Sequence, residues 1–362
     1  MASAPQFVRE YPNLASASLG AEVVAVSDDF FAAASRMLAD SAPVFIADKY
    51  DAHGKWMDGW ETRRSRSGKN DWCVVRLAAN TRICGLLVDT RHFTGNYPQA
   101  AGVDFCSDPG EMKPGKNSTW LPLLVKEKLG PDGSHYFSAR DFVLQPHRVR
   151  YLRLNIYPNG GIARFRVFGE AQDAPPQNEN GEWEVSSLLC GGRVVDWNNS
   201  HFGEPWVILK PDRAKSMQDG WETRRRREGE YDWLLMRLPR PAIVRGIEVD
   251  TAYFKGNFPD SCSLEAGYVI PPSRKWQNFL AKASNAIPPP SKWKKFFPQP
   301  DDGKTPSYKW KTLLPKTPLS AHKRHFYADE VCPLPPVEMV RLRIYPDGGV
   351  SRLRLFGDFA KQ

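Results

Sequence analysis

The heptapeptide DGWETRR occupies positions 58–64 and recurs at 219–225. At that constant offset, residues 58–98 match 219–259 at 21 of 41 positions. A match of that length marks a duplicated unit, so whatever fold one copy adopts, the other must adopt too. The correspondence extends both ways with altered spacing. Gly20, Val23, Val24 and Phe31 align with Gly191, Val194, Val195 and Phe202. His135-Tyr136-Phe137 aligns with His325-Phe326-Tyr327, and IYPNGGIARFRVFGE (156–170) with IYPDGGVSRLRLFGD (344–358). The boundaries this predicts are a first repeat over 1–172, a linker over 173–182 (DAPPQNENGE) and a second repeat over 183–362.

The changed spacing comes from a Lys- and Pro-rich stretch at about 271–309, found only in the second copy. The chain carries a net charge of +9, and residues 271–316 hold ten Lys or Arg against two Asp, a net of +8. The excess is therefore confined to one proline-rich surface loop and is not spread over a basic face, which argues against a nucleic-acid partner. No apolar run is long enough to span a bilayer, which excludes a membrane partner. The N-terminus lacks a basic region leading into an apolar one, so a cytoplasmic location is expected. The six cysteines (Cys73, Cys84, Cys106, Cys190, Cys262 and Cys332) form no CxxC pair and read as buried free thiols.

Local periodicity is mostly two. Leu152, Leu154 and Ile156 alternate with Arg153 and Asn155, and Phe165 and Val167 alternate with Arg164 and Arg166. Alternation broken by Pro-Asn-Gly-Gly predicts two half-buried antiparallel strands in a hairpin, with the arginines facing outward. Asp71–Leu77 and Ile83–Thr90 read as two further strands, and DDFFAAASRML (28–38) as a short helical stretch. The predicted fold class is all-β: two tandem β-sandwiches of jelly-roll type, each with roughly eight short strands.

Two constellations carry candidate chemistry. DGWETRR combines acceptors (Asp58, Glu61; Asp219, Glu222) with planar guanidinium donors (Arg63, Arg64; Arg224, Arg225) suited to a carboxylate. Trp60 and Trp221 read as core plugs. VDTRHFTGNYP (88–98) and VDTAYFKGNFP (249–259) place Asp89, Thr90 and Asn96, matched by Asp250 and Asn257, after a strand where a loop can present them. Only the first copy offers an imidazole there, since His92 is replaced by Tyr253. Asp51-Ala52-His53-Gly54 is similar to the start of the Asp-Ala-His-x-Asp metal motif of arginase-type ureohydrolases, but Lys55 stands at its closing position. HExxH, P-loop and GxSxG motifs are absent, so zinc-protease, nucleotide and serine-hydrolase readings lack support.

Taken in order, KWMDGWETRR, DWCVVRLA, VDTRHFTGNYP and the IYP-x-GG-[IV] ending closely resemble the allantoicase (allantoate amidinohydrolase) family over nearly the whole chain. The resemblance implies two galactose-binding-like jelly rolls, a homo-oligomer, and cleavage of allantoate to ureidoglycolate and urea in purine (allantoin) catabolism. Such a substrate needs guanidinium for its carboxylate, acceptors for its ureido N–H groups, and an acid and base for the departing nitrogen. On that footing Arg63 or Arg64 clamps the carboxylate, and Asp58 or Asp89 with Asn96 holds ureido groups. Glu61 or His92 moves the proton, with Glu222 the second-copy counterpart. No cofactor is expected, and dependence on a divalent metal stays open. The competing class is a non-catalytic ligand- or carbohydrate-binding sandwich; retention of Asp, Glu and both Arg in both copies favours an enzyme.

Overall fold

The computed structural model describes residues 4–64, 69–107, 113–227, 230–269 and 308–360. The Lys- and Pro-rich stretch lies almost wholly outside the described residues. The chain divides into two compact units, Met1–Asp173 and Ala174–Gln362, each a jelly-roll β-sandwich built almost entirely of antiparallel strands.

In the first unit a single strand, Asp71–Asp89, organises everything else. Its first half pairs with Glu22–Val26 and Val149–Tyr157, and the sheet continues through Ala100–Cys106 to Trp120–Lys128. Its second half pairs instead with Arg164–Ala171 and Ser134–Ser138. The register breaks between Arg76 and Thr81, where the strand changes partners. The two strands expected at 71–77 and 83–90 are thus one, passing from one layer to the other.

This corrects the expected hairpin as well. Val149–Tyr157 and Arg164–Ala171 both run antiparallel to the long strand and do not pair with each other. The first ends beside Asp71 and the second begins beside Asp89. Seven residue steps reach at most about 24 Å, whereas a straight 19-residue strand would span about 60 Å. The long strand must therefore fold back, bringing its two ends to one end of the sandwich. The Pro-Asn-Gly-Gly turn crosses there: Pro158 O accepts from Asp71 N (3.1 Å), and Ala163 N donates to Asp89 O (2.7 Å).

The alternating residues of both layers meet in one core that includes Val75, Leu86, Val88, Leu154 and Phe165. The helical stretch expected at 28–38 is reduced to a 3-10 turn over Ala34–Leu38, which drops Met37 and Leu38 into the same core. The second unit repeats the plan with Asp232–Asp250 as the long strand, paired by its first half with Val337–Tyr345 and by its second with Arg352–Phe359. Of the linker expected at 173–182, Asp173 belongs to the first unit and the rest folds back on the second: Gln177 bridges to Trp183, and Glu184 N donates to Pro176 O (2.8 Å). All six cysteines are free.

Candidate active site

The three sequence motifs converge at the end of each sandwich where the long strand begins and ends. In the first repeat the short strand Trp60–Glu61 pairs with Gly161–Ile162, directly after the Pro-Asn-Gly turn. Thr62 exchanges two hydrogen bonds with Gly160: its amide donates to Gly160 O (3.2 Å), and its hydroxyl accepts from Gly160 N (3.0 Å). Asn96 O accepts from Gly161 N (2.7 Å). Gly160 has φ +137°, and a Cβ there would sit 2.5 Å from Asn96 O, so only glycine lets the turn approach the Asn96 loop. The second repeat reproduces this with Gly348, Thr223 and Asn257.

The result is a paired carboxyl and amide. Asn96 Nδ2 donates to Glu61 Oε1 at 2.6 Å, and Asn257 Nδ2 to Glu222 Oε1 at 2.7 Å. Burial pushes the Glu61 carboxyl above its usual range and the nearby Asp51 charge adds to this, against the opposing hydrogen bond from Asn96. Glu222 Oε2 is buried without a hydrogen-bond partner among the described residues.

Other residues singled out by sequence are engaged within the protein. Asp58 accepts from the Arg164 guanidinium (2.7 Å) and from Val44 N (3.0 Å). Burial opposes ionisation of Asp58, but these bonds hold its carboxyl below the usual value. Asp219 does the same for Arg352 (2.8 Å) and takes Lys210 Nζ as well (2.9 Å). Arg164 is completely buried and Arg352 nearly so, contrary to the outward direction that alternation assigned to Arg164. A buried guanidinium is tolerable because its donors are met: Arg164 also donates to the carbonyls of Ser41, Asp58 and Ala163. Asp89 is buried under Arg91, and Asp250 under Arg213. Thr90 donates its hydroxyl to Gly130 O (2.7 Å), and its partner Thr251 to Ser320 O (2.6 Å). These groups shape the rim from below.

The arginines divide. Arg63 Nε donates to Asp28 Oδ2 (2.7 Å), and the guanidinium lies over Phe30. Arg64, Arg224 and Arg225 are exposed. His92 has φ +69°; its Nε2 lies 3.1 Å from Pro43 O and its ring stacks on Phe45. Tyr253 keeps the same backbone geometry (φ +70°), its amide donating to His322 Nδ1 (2.8 Å).

Two features escaped sequence reasoning. Asp28 aligns with Asn199 at the spacing that matches Phe31 to Phe202, so the Arg63 partner is a carboxylate in one copy only, and that alignment could have found it. The second is a stretch peculiar to the first copy. Val44 N and Lys215 N make equivalent bonds to Asp58 and Asp219, yet they precede them by 14 and 4 residues. The extra residues carry the hairpin Tyr50–Asp51 with Gly54–Lys55. The hairpin packs His53 on Phe30 and sets Asp51 near Glu61. The Asp-Ala-His sequence dismissed as a metal motif is this hairpin. Among the described residues no cluster of three or more His, Cys, Asp and Glu is placed to hold a metal ion.

The family model for the allantoicase repeat matches residues 12–172 and again 183–360. The chain belongs to the allantoicase family. It is 42% identical to "Probable allantoicase 1" of Burkholderia mallei, over 99% of this chain and 98% of the relative. To "Probable allantoicase" of an Acinetobacter baumannii strain it is 40% identical, over 99% and 96%. The crystal structure of allantoicase from Saccharomyces cerevisiae superposes with TM-score 0.74 at 29% identity, covering 96% of this chain and 93% of that one. The allantoicase repeat thus corresponds to one whole sandwich, and its motifs to the elements that join at one end of it.

Proposed function

We propose that this allantoicase hydrolyses allantoate to ureidoglycolate and urea at the first repeat, with Glu61 moving the proton. The observation that carries the assignment is the half-buried Glu61 carboxyl, held by Asn96 and raised in proton affinity. A carboxyl that keeps its proton nearer neutrality can deliver it to a departing ureido nitrogen.

Arg64 is the better carboxylate clamp of the two, because Arg63 is already committed to Asp28. Asn96, whose Nδ2 is turned to Glu61, keeps its amide oxygen for a substrate N–H. Glu61 gives its proton to the nitrogen of one ureido group, and the bond from that nitrogen to the central carbon breaks, releasing urea. The lone pair of the remaining ureido nitrogen supports the carbon as an imine. Water adds to that carbon, and the ionised Glu61 recovers the proton. The bonds that Asp58, Asp89, Thr90, Asp219 and Asp250 make within the protein support a framework role for them. In the second repeat Glu222, Arg224, Arg225 and Asn257 could bind a similar anion, but Asn199 and Tyr253 replace Asp28 and His92.

The six free thiols favour a reducing compartment such as the cytoplasm. The exposed apolar group Phe30, Val44, Phe45, Ile46 and Tyr50 supports a homo-oligomer. No helix among the described residues is long and apolar enough to cross a membrane. The deciding experiment is urea release from allantoate by the purified protein, with and without chelator. Turnover that survives Glu61→Gln but not Glu222→Gln would move the chemistry to the second repeat; no turnover at all would leave a binding protein.

A further inference from the structure

The two repeats differ most at a place remote from their shared motifs in sequence. In the first unit the short helix Gln6–Glu10 lays Phe7 flat over Gly85: a Cβ on that glycine would fall 2.4 Å from the ring. Phe7 also packs on Phe168 (5.6 Å) and Tyr136 (6.3 Å). The matching residues of the second unit are Gly246, Phe356 and Phe326. There the chain at 178–181 makes a polar turn in place of the helix, closed by Asn178 N to Glu182 O (2.9 Å). A Cβ on Gly246 meets nothing nearer than Phe356 Cβ at 3.4 Å. What is plugged in one repeat is a cavity of 760 Å³ in the other, a volume in the range of small-molecule sites.

Its chemistry is one-sided. Seven carboxyl groups and three guanidiniums line it. The three guanidiniums are already paired: Arg324 and Arg354 with Glu248, and Arg213 with Asp250. Glu184, 94% buried, lines the same cavity, with one oxygen 3.4 Å from Arg354 Nε and the other buried without a hydrogen-bond partner. A buried acceptor without a donor is costly unless something supplies one. Phe326 is left 61% exposed at the edge of the cavity.

We propose that this cavity binds a planar organic cation of the amidinium or guanidinium class. Its flat body rests over Gly246 against Phe326 and Phe356, as Phe7 does over Gly85, and its N–H donors meet the Glu184 carboxyl. The surplus of carboxylates favours positive charge, and Phe326 already carries the Arg324 guanidinium 4.7 Å from its ring centroid, a face-to-cation contact of the kind the ligand would make on the exposed part of the ring. The site is independent of the hydrolytic reading, since none of these residues belongs to the Glu61 or Glu222 constellation.

The test is calorimetric titration of the full chain with benzamidine, and with benzoate as the same ring carrying the opposite charge. Benzamidine should bind with a dissociation constant of about 1 mM or tighter, and benzoate should not bind measurably at the same concentrations. Phe326→Ala, at an exposed position that leaves folding intact, should weaken benzamidine by about fivefold through lost ring contact. Gly246→Phe, which recreates the plug, should abolish binding while thermal melting confirms a folded chain. Benzamidine affinity unchanged in both variants, equal affinity for benzoate, or no binding of benzamidine would each overturn the proposal.

Discussion

The first and second repeats share a heptapeptide residue for residue but use it in different surroundings. Asp58 and Asp219 each pin a buried arginine, Trp60 and Trp221 each fill the core, and Glu61 and Glu222 each take an asparagine amide. Around this shared frame the first repeat adds Asp28 under Arg63, His92, and a hairpin that sets Asp51 near the Glu61 carboxyl. The second substitutes Asn199 and Tyr253, and opens a cavity where the first has Phe7. Duplication preserved the scaffold and let the polar lining diverge, so the motif alone does not say which copy acts.

The largest difference should appear in turnover. Glu61→Gln keeps the acceptor for Asn96 but cannot donate a carboxyl proton; it should lower kcat for urea release by about 10²–10⁴. Glu222→Gln should cost less than about tenfold. Because the Glu61 carboxyl is raised by burial and must be protonated to act, wild-type activity should fall as pH rises through its value. The residual activity of the Gln variant should lack that limb. Equal losses in the two variants would mean that both repeats act.

Next in size is the frame itself. Asp58→Ala leaves the buried Arg164 charge uncompensated, and a broken buried pair costs about 3–5 kcal/mol. Asp219→Ala removes a carboxylate shared by Arg352 and Lys210, so the second repeat should lose more than the first. Chemical denaturation of both variants measures this. A loss in turnover at unchanged stability would instead return these aspartates to substrate binding.

What the sequence disclosed and what it hid follow from range. The duplication and the all-β class were legible because they are written in local pattern and in repetition, and so was the repeated Glu and Asn pair that the fold brings within hydrogen-bonding distance. The buried Arg164 was not: its alternation is that of an outward residue, and the carboxylate that makes its burial tolerable lies 106 positions away. The long strand looked like two because partner exchange at residues 76–81 leaves no mark in periodicity. Asp89 and Thr90 looked like ligand-facing groups because polar residues after a strand often are. Here Arg91 and the carbonyl of Gly130 occupy them.

A smaller effect separates the repeats by pH. Burial pushes the Glu184 carboxyl up to about 7, with Arg354 opposing and Glu248 reinforcing the shift. A raised folded value means the folded chain holds the proton more tightly than the unfolded chain. The associated stability is complete below about pH 4.5 and is lost as pH rises through 7. The shift corresponds to about 3 kcal/mol. Glu184→Gln should therefore gain stability relative to wild type between pH 5 and pH 8, read as a narrowing Tm gap or a reversal. Asn13, which stands at the equivalent place in the first repeat, has no carboxyl to titrate, so Asn13→Gln should show no such pH dependence. Parallel Tm curves for Glu184→Gln and wild type across that range would contradict a Glu184 carboxyl raised by burial.

The smallest change expected is His92→Tyr, which makes the first repeat resemble the second at the position where one motif carries an imidazole and the other a phenol. The positive φ is shared by His92 and Tyr253, so the backbone already accepts either side chain. The imidazole holds the Pro43 carbonyl and stacks on Phe45, contacts that position the stretch leading into the hairpin. Its replacement should raise KM for allantoate by about two- to fivefold while changing kcat little, the signature of lost binding rather than lost proton transfer. His92→Phe should behave the same way, because stacking on Phe45 survives in both. A drop in kcat of the size expected for Glu61→Gln, with KM unchanged, would make the imidazole a second proton carrier. The repeats would then differ in catalytic equipment and not only in its setting.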